Sequence, residues 1–398
     1  MKTHYLNLVL IILLHLGYTF VSAQGTGETN GYHLVWQDLF DDGALNTANW
    51  NIEVNGDGGG NQELQYYRAE NVSVGIEPAS GKSCLILTAR KESFGGRTAT
   101  SGRINTQNKM SFQHGKLEAS IKFPKTANGL WPAFWMLGSD FSTVGWPKCS
   151  EIDICEMGNR TGINTGTQDR YFNGACHWGE SYNGGNYPNY AVHTTGPYSL
   201  QDDFHLFTLI WDNNFIRMYL DLDKNPNAEP YYAMDIRSEA GQANNHPSHY
   251  FHKPSFVLFN LAVGGNFPQI WNINQITALN AGNDYEAKMY VDFIKLYQKG
   301  LPSENEIYEG IPLPTNLNSV QKEKTQYSIA PNPAHTTIQV SGPDIPSRIT
   351  IFNNIGQSLK VFNKTDVCDI SGLPDGVYLM KIENEEDASE SFRFVKSM

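Results

Sequence analysis

The sequence predicts an all-β protein in which a large antiparallel β-sandwich is followed by a small one. From about residue 32 to 298, short segments of alternating polar and apolar β-forming residues are separated by clusters of Gly, Asn, Asp and Pro. No long amphipathic helix interrupts them, which argues against a parallel sheet with crossover helices. After a stretch without alternation, the strand pattern returns near residue 327.

Residues 1–23 have the pattern of a secretory signal peptide. Lys2 supplies the positive charge, LNLVLIILLHL is a short apolar run, and VSA before Gln24 is a small-residue cleavage site. The run is shorter than the roughly 20 apolar residues that a membrane-spanning helix needs, and no later segment reaches that length. We therefore expect a secreted, soluble product that begins near Gln24.

The chain divides into two predicted domains and a linker. Residues 24–298 form the large sandwich, with strand segments such as CLILTAR, KLEASIKF, FHLFTLIW and SFVLFNLAV. Residues 299–326 lose the alternation and are rich in Pro, Glu, Asn and Lys, which is typical of a linker. Residues 327–398 return to strands, TTIQV, RITIFN and VYLMKIE, and predict a small separate β-sandwich.

Composition excludes several classes of partner. The formal net charge of -12 argues against binding to nucleic acid and against a groove for polyanions, so neutral ligands fit best.

The five cysteines lack the C-x-x-C pairing of a zinc site and are too few for a disulfide scaffold. Cys155 and Cys176, on successive predicted strands, either form a disulfide or remain two buried thiols.

The stretch EIDICEM places three carboxylates close together on one predicted strand. Successive side chains of a strand alternate between its faces, so Glu151 and Asp153 share one face and Glu156 falls on the other. A β-bulge at Ile154 or Cys155 inserts one residue and returns Glu156 to the face of the other two. The apolar residues between the acids predict that the opposite face is buried.

Neighbouring acids on one strand suit retaining glycoside hydrolysis. Two carboxylates about 5 to 5.5 Å apart serve as nucleophile and general acid, whereas an inverting enzyme needs about 6.5 to 9.5 Å. A third acid between them raises the pKa of its neighbours through like charge and keeps the general acid protonated. For the motif alone, two other interpretations stay open: a solvated outer face, and a calcium site built from carboxylate oxygens.

Aromatic residues precede the acids. GLWPAFWMLG, residues 129–138, contains Trp131 and Trp135, which lie on one face if the segment is a strand. Flat indole rings stack on the apolar surface of sugar rings. The alternative interpretation is that both tryptophans belong to the core of the sandwich.

EIDICE preceded by GLWPAFWML resembles the laminarinase-like members of glycoside hydrolase family 16, which carry a bulged E-x-D-x-x-E motif. LVWQDLF, GNQELQYY, SGRINTQNKMSFQHGKLEASIKFP and FVLFNLAVGGNFP agree in the same order, so the resemblance covers essentially all of residues 32–298. It implies a concanavalin A-like β-jelly-roll sandwich whose concave sheet forms an open cleft. It also implies retaining, endo-acting hydrolysis of β-1,3 linkages in laminarin-type glucans.

The resemblance implies a role for each matching residue. Glu151 matches the nucleophile, Glu156 the general acid/base, and Asp153 the residue that assists the nucleophile. Trp131 and Trp135 match aromatic residues of the sugar subsites. The polar groups around the sugar next to the scissile bond are matched by Asn61, Arg103 and His177.

Departures from the family pattern change some expectations. Leu39 stands where relatives often have a glutamate, which weakens the calcium site that many relatives hold, and Asp292 matches its other carboxylate. We therefore expect no required cofactor, with calcium at most an optional structural ion. Phe267 replaces a tryptophan and His114 a tyrosine, so the far sugar subsites are expected to differ.

IAPNPAHTTIQV, ITIFNNIGQSLK and DISGLPDGVYLMKI, within residues 327–398, resemble the C-terminal sorting domain of the type IX secretion system. The resemblance implies that the secretion machinery is a partner and that the chain is exported, then released or attached to the outer-membrane surface. A small sugar-binding module is the alternative. A sugar-binding module needs aromatic residues on which a sugar can stack, and few could serve here: Phe352, Phe362 and Tyr378.

The expected protein is thus a monomeric, secreted endo-β-1,3-glucanase that acts on a neutral polysaccharide. The alternatives are a mixed-linkage β-1,3/1,4-glucanase, a hydrolase of another polysaccharide such as agarose or carrageenan, and a β-glucan-binding protein without activity. Sulfated galactans call for basic groups in the cleft. A binding protein of this fold typically lacks the catalytic glutamates, whereas this sequence keeps all three acids.

Overall fold

The large unit consists of two stacked β-sheets, whose central strands are buried along most of their length. The computed structural model describes residues 31–308, 327–353, 358–384 and 389–396. The predicted signal peptide, residues 1–23, lies outside this part of the chain. Among the described residues, no helix has the length and apolar character that spanning a bilayer requires.

The first unit contains short strands joined by turns. Its strands are β1 (His33–Asp38), β2 (Asn51–Ile52), β3 (Gln65–Tyr67), β4 (Val72–Ile76), β5 (Ser83–Arg90), β6 (Ala99–Ser101), β7 (Arg103–Asn105), β8 (Met110–Gln113), β9 (Gly115–Lys122), β10 (Leu130–Gly138), β11 (Glu151–Met157), β12 (Tyr171–His177), β13 (Asn189–Thr195), β14 (His205–Trp211), β15 (Phe215–Leu220), β16 (Tyr232–Asp235), β17 (Ser255–Val263), β18 (Glu286–Gln298) and β19 (Asn305–Tyr308).

Helical structure in this unit is limited to short segments in the connections. The α-helices are α1 (Phe141–Val144) and α2 (Arg160–Thr165). The 3-10 helices are Ala69–Asn71, Asn183–Gly185, Pro247–His249, Ile273–Gln275 and Ala281–Asn283.

Two large sheets form the sandwich. One has the strand order β16-β15-β14-β9-β18-β5-β6-β3, with β1 beside β18 and β4 beside β5. The other, the nine-stranded sheet, has the order β13-β12-β11-β10-β17-β7-β2, with β8 beside β17 and β19 beside β8. The pairing of β3 with β6 is parallel, and the central pairings around β10, β11 and β17 are antiparallel.

The core lies between these sheets. β9 shows why: Leu117, Ala119 and Ile121 are fully buried at every second position and face the nine-stranded sheet. From the opposite side, Phe134 and Phe259 stack with ring centroids 4.8 Å apart. The all-β sandwich that the sequence predicts is confirmed.

The small unit is a second sandwich with its own core. Its strands are β20 (Ser328–Ala330), β21 (Thr337–Ser341), β22 (Arg348–Phe352), β23 (Ser358–Asn363), β24 (Val367–Asp369), β25 (Gly376–Glu383) and β26 (Ser389–Lys396). They form one sheet of order β20-β21-β24 and another of order β23-β22-β25-β26. The buried side chains between them include Ile338, Ile351, Met380 and Phe394.

The large sheet extends past residue 298, where the sequence predicts that the first domain ends. β19 lies inside the predicted linker, yet it pairs antiparallel with β8. Its four residues, NEIY, are too few to show alternation in a segment rich in polar residues. The remainder of the predicted linker, residues 309–326, lies outside the described part of the chain.

All five cysteines belong to the described residues, and each is a buried free thiol. Cys155 and Cys176 face the core from adjacent strands without forming a disulfide. Of the two alternatives for this pair, the structure therefore supports two buried thiols.

Candidate active site

The strand with the three acids, β11, is bounded by two backbone positions in the left-handed region. Ser150, immediately before Glu151, has a φ of 67°. Gly158, immediately after the strand, has a φ of 98°, and a Cβ there would lie 2.0 Å from the carbonyl oxygen of Leu130. The glycine therefore allows β11 to end against β10 without a steric clash.

β11 contains the bulge that the sequence predicts. On the β10 side, pairing passes from Asp153 to Cys155 and leaves Ile154 without a register partner. On the β12 side, pairing passes from Asp153 directly to Glu156. One extra residue therefore lies between these two acids, and the side chains that follow it change face.

Burial separates the two faces of β11 as predicted. The residues that pack into the core, each at most 1% exposed, are Ile152, Ile154, Cys155 and Met157. We call the opposite surface, which is formed by Glu151, Asp153, Glu156, Trp131 and Trp135, the acidic face. The bulge thus brings all three carboxylates to one side of the nine-stranded sheet.

Glu151 lies at the start of β11 among hydrogen-bond donors. The indole nitrogen of Trp146 donates to its Oε2 at 3.0 Å, and Nε2 of His177 lies 3.9 Å from its Oε1. Burial raises the pKa of the Glu151 carboxyl well above its usual value, and the charges of Asp153 and Glu156 add to the rise. The proximity of His177 opposes this effect.

Asp153 is the most enclosed of the three acids, with a side chain that is only 5% exposed. Its Oδ2 lies 3.3 Å from Nε2 of His177. Burial raises the pKa of Asp153 well above its usual value, and the charge of Glu156 raises it further. Glu151 and Asp153 are buried on the same face of β11, so ionisation of both carboxyls at once is disfavoured.

Glu156 is held by two donors, one on each neighbouring strand. The indole nitrogen of Trp131 donates to Oε1 at 2.8 Å, and the Asn173 amide donates to Oε2 at 2.9 Å. Both carboxylate oxygens therefore have a fixed partner. The side chain stays partly exposed on the acidic face, where a ligand can reach it.

Trp131 and Trp135 lie on the same side of β10, as the spacing predicts. One face of Trp131 stacks on Phe267, with ring centroids 4.8 Å apart and an angle of 16° between the planes. The indole nitrogen of Trp135 donates to Asn260 at 2.6 Å, and the Arg103 guanidinium lies 4.9 Å from the ring centre. Both indoles are partly exposed, so neither is a core residue as the alternative interpretation required.

Arg103 reaches the site from β7. Its Nε donates to Oε1 of Glu53 at 2.8 Å, and its guanidinium lies between the rings of Trp135 and Tyr67. Asn61 is less directly placed, because its side-chain amide donates to the carbonyl oxygen of Gly59 in its own loop. The structure therefore brings Arg103 next to an aromatic residue of the acidic face and leaves Asn61 in the flanking loop.

The sequence did not single out Trp146, Asn173 and Tyr187. Asn173 alternates in phase with His177 along β12, so strand periodicity is a signal that would have found it. Trp146 lies in the connection between α1 and β11, where no periodicity applies. Tyr187 lies in another connection, and its hydroxyl is 3.2 Å from Nδ1 of His177. Its ring also packs edge-on against Trp146, at 4.7 Å between centroids.

The carboxylate predicted for calcium does not fit a cation site. Oδ2 of Asp292 pairs with the ammonium of Lys82, and the hydroxyl of Ser120 donates to the same oxygen at 3.3 Å. A positive charge thus already occupies the position that calcium would need. Glu151, Asp153 and His177 have ligand atoms within 4.8 Å of one another, but a histidine nitrogen does not suit an ion that prefers oxygen ligands.

His114 does not take part in a sugar subsite, so the expectation for it is wrong. Its side chain is only 1% exposed, and its Nε2 lies 3.1 Å from Nδ1 of His252. Its ring packs edge-on against Trp211, and burial lowers its pKa to about 4. The imidazole packs between the rings of Trp211 and His252 in the turn between β8 and β9.

The acidic face can therefore carry out acid-base and nucleophilic chemistry on a neutral ligand. Glu151 and Glu156 are each oriented by a tryptophan N–H group, and Asp153 lies between them. Partly exposed indoles beside these acids offer apolar surface for a sugar ring.

Comparisons with known proteins agree with this chemistry. Residues 63–233 match the model of glycosyl hydrolases family 16, and residues 328–397 match that of a secretion system C-terminal sorting domain. A solved Bacteroides ovatus family 16 enzyme, from a mixed-linkage glucan utilisation locus, is 39% identical with a TM-score of 0.56. The alignment covers 66% of this chain and 99% of that one.

Two curated relatives are longer proteins. The clotting factor G alpha subunit of Tachypleus tridentatus is 31% identical over 74% of this chain, and the glucan endo-1,3-beta-glucosidase A1 of Niallia circulans is 32% identical over 68%. This chain spans only 37% and 38% of their respective lengths.

Proposed function

Since this chain belongs to family 16 of the glycosyl hydrolases, we propose that it hydrolyses internal β-1,3-glucosidic bonds of laminarin-type glucans with retention of configuration. The observation that carries the proposal is the bulge in β11, which places Glu151 and Glu156 on the same face of the sheet. Two carboxylates on one face of the same strand can act as the nucleophile and the acid/base of a double displacement.

In the first step, the Glu151 carboxylate attacks the anomeric carbon while the bond to the departing sugar oxygen breaks. Glu156 gives its proton to that oxygen, so the leaving sugar departs as a neutral alcohol. In the second step, Glu156 takes a proton from water, the water oxygen bonds to the anomeric carbon, and Glu151 is released as carboxylate. Trp146 and His177 keep Glu151 aimed at the sugar.

Asp153 has the role of a proton partner for the nucleophile. Both carboxyls are buried on one face, where two like charges repel each other, and this repulsion raises the pKa of Glu151. To attack as an anion, Glu151 must give up its proton, and the charge of Asp153 opposes that loss. The Glu151–Asp153 pair then acts as one titrating unit rather than as two independent acids.

The substrate is proposed to be a neutral polysaccharide bound by a single chain. Partly exposed Trp131 and Trp135 flank the acids and offer stacking surfaces, and Arg103 supplies a hydrogen-bond donor beside them. The formal net charge of -12 agrees with a neutral ligand rather than with nucleic acid or a sulfated chain. All these residues come from one chain, so a monomer is sufficient.

A mixed-linkage β-1,3/1,4-glucan is the second candidate substrate. The Bacteroides ovatus enzyme is more similar in sequence, at 39% identity, than the Niallia circulans β-1,3-glucosidase, at 32%. The catalytic steps are the same for both substrates, because the difference lies in which linkage the sugar subsites accept.

The C-terminal sorting domain marks the chain for secretion and places the activity outside the cell or on its surface. A polysaccharide too large to enter a cell is the kind of substrate that such a location serves. The type IX secretion machinery is thus the expected partner of residues 328–397.

Product analysis tests the proposal. The purified protein should release reducing sugar from laminarin and curdlan, with oligosaccharides of several lengths appearing before glucose. Proton NMR of the earliest product should show the β-anomer. A larger rate on lichenan than on laminarin would transfer the assignment to mixed-linkage glucan. Folded protein that binds laminarin without releasing product would instead support the non-catalytic alternative.

Two variants assign the chemistry. Glu151→Gln and Glu156→Gln keep the size of each side chain and remove the carboxylate, so each should lower kcat by roughly 10³-fold or more. On a dinitrophenyl β-glucan oligosaccharide, whose leaving group needs no proton, azide should restore turnover to Glu156→Gln and form a β-glycosyl azide, because the azide anion attacks the glycosyl-enzyme without a general base and releases Glu151 as carboxylate. Variants that retain full activity would overturn the residue assignment.

A further inference from the structure

Tyr231, which lies next to β16 in the sheet opposite β11, reaches the bulge of β11 with its side chain through the core. Ile154 has no register partner on β10 or β12. Its carbonyl oxygen accepts a hydrogen bond from the hydroxyl of Tyr231. Because a buried carbonyl without a donor is strongly disfavoured, this hydroxyl satisfies a group that regular strand pairing would otherwise satisfy.

Tyr231 is itself firmly held. It lies immediately before β16, and its backbone N–H donates to the carbonyl oxygen of Met218 on β15 at 2.9 Å. Its ring packs edge-on against Phe172 of β12, with centroids 5.0 Å apart. The hydroxyl therefore reaches the bulge from a fixed point on the opposite sheet.

The strand next to the bulge leaves room for this contact. Gly174 of β12 lies between the register partners of Asp153 and Glu156. A Cβ at this position would lie 3.2 Å from Cε2 of Tyr231 and 2.6 Å from Sδ of Met218. The glycine thus gives the phenol ring its path to β11, independently of the hydrogen bond.

We infer that Tyr231 is a positioning residue for the proposed reaction: by holding the Ile154 carbonyl, its hydroxyl fixes the bulge and hence the direction of Glu156. This inference rests on the proposed function. Glu156 is two residues beyond the held carbonyl, so a rotation of the bulge peptide would move its carboxyl away from the glycosidic oxygen. Glu151 precedes the bulge in regularly paired strand and should be affected much less.

Tyr231→Phe removes the hydroxyl and leaves the ring. We expect kcat on laminarin to fall by about 10- to 100-fold, because a displacement of about 1 Å at a proton-transfer group has an effect of that size. KM should change by less than about 2-fold, since the sugar subsites are untouched. Tyr232→Phe is the matched control, because the hydroxyl of Tyr232 bonds to the carbonyl oxygen of Tyr190 instead.

A second substrate separates positioning from general destabilisation. A dinitrophenyl β-glucan oligosaccharide has a leaving group that departs without a proton, so its first-turnover burst needs Glu151 but no general acid. In Tyr231→Phe the burst rate should stay within about 3-fold of the unmodified protein, whereas laminarin hydrolysis falls. Equal losses in both assays, or no loss in either, would overturn the inference.

Gly174→Ala tests the same contact if Tyr231→Phe does not fold. The added methyl group would meet Sδ of Met218 at 2.6 Å, Cβ of Tyr232 at 3.1 Å and Cε2 of Tyr231 at 3.2 Å, so it crowds the phenol ring together with its neighbours and should lower laminarin hydrolysis more than the burst rate. If the unmodified protein gives neither a burst nor hydrolysis of laminarin or lichenan, the proposed function fails and the inference fails with it. If the unmodified protein is active and both variants keep its ratio of the two rates, only the inference about Tyr231 fails.

Discussion

The indole nitrogen of Trp131 donates a hydrogen bond of 2.8 Å to Oε1 of Glu156. The same indole stacks on Phe267, so one of its faces is already covered by protein. The ring that the sequence suggests as a platform for sugar thus also orients the proposed general acid/base. Its N–H group and its aromatic surface have separate functions, which substitution can separate.

Trp131→Phe should lower kcat more than it raises KM. Phenylalanine keeps an aromatic ring against Phe267 but cannot donate to Glu156, and a hydrogen bond to a charged group contributes about 1.5 to 3 kcal/mol. We therefore expect kcat on laminarin to fall by roughly 10- to 100-fold. Trp135→Phe is the control, because the indole of Trp135 donates to Asn260. A larger kcat loss in Trp135→Phe would contradict the role given to Trp131.

The pH dependence of activity should depend on Asp153. Burial and then the charge of Asp153 raise the pKa of Glu151, and the nucleophile must be ionised to attack. Asp153→Asn removes this charge and lowers the pKa of Glu151, so the acidic limb of the kcat/KM profile should move to lower pH. The maximum of kcat/KM should also fall. The check is a profile from pH 3 to 8 on one soluble substrate. A limb that moves to higher pH would contradict the like-charge interaction.

Glu151→Gln should stabilise the fold at neutral pH. A carboxyl with a raised pKa contributes stability when it is protonated, below its ordinary value of 4.5, and this contribution is lost as the pH rises through the higher folded value. At pH 7 the buried carboxyl therefore lowers the stability of the unmodified protein, because unfolding lets it ionise in water, and glutamine removes this effect. We expect the variant to have a higher Tm at pH 7, by roughly 2 to 4 °C for each kcal/mol relieved, and no such gain at pH 4.

Differential scanning calorimetry at the two pH values provides the measurement. Glu180→Gln is the control, because Glu180 forms an exposed pair with Lys148 and has a lowered rather than a raised pKa. Its Tm should not rise at pH 7. If the gain for Glu151→Gln were the same at both pH values, packing rather than charge would be its cause.

The structure predicts that calcium does not stabilise this protein through Asp292. The ammonium of Lys82 already pairs with its carboxylate, so neither a chelator nor added calcium should change the Tm of the unmodified protein. In Lys82→Met the carboxylate loses its cation, and added calcium should then raise the Tm. Lys288→Met removes a lysine from a pair with Glu286 and is the control. A Tm that falls when the unmodified protein is treated with chelator would contradict this prediction.

Local alternation is what made the fold and the acid strand predictable from the sequence. The sequence shows Glu156 out of phase with Glu151, and a single extra residue is the simplest way to return it to the same face. The apolar residues between the acids identify the buried side. The bulge and the burial pattern of β11 could therefore be predicted without coordinates.

Contacts between distant segments could not be predicted in the same way. Lys82 and Asp292 are 210 residues apart, and neither position carries a local signal for the other. Trp146 lies in an irregular connection whose path depends on the packed sheets. His114 lies in the turn between β8 and β9, and only the packing of Trp211 and His252 shows that it is covered.

Removal of one bulge residue should preserve the acidic face. Without Cys155, the strand reads Glu-Ile-Asp-Ile-Glu-Met in unbroken alternation, so Glu156 stays on the same side as Glu151. We expect the deletion variant to keep activity within about 100-fold of the unmodified protein. Deletion of Ile152, which is buried to a similar degree, is the control. It turns Glu151 toward the core and should lower activity by roughly 10⁴-fold or more.

The same deletion should remove the need for Tyr231. In a regularly paired strand the Ile154 carbonyl faces a backbone donor of the neighbouring strand, so the hydroxyl has no unpaired group to satisfy. Tyr231→Phe should therefore cause no further loss of laminarin hydrolysis when Cys155 is deleted. A double-mutant cycle built from the four kcat values measures the interaction. If the kcat losses of the two single variants multiply in the double variant, Tyr231 acts elsewhere than at the bulge.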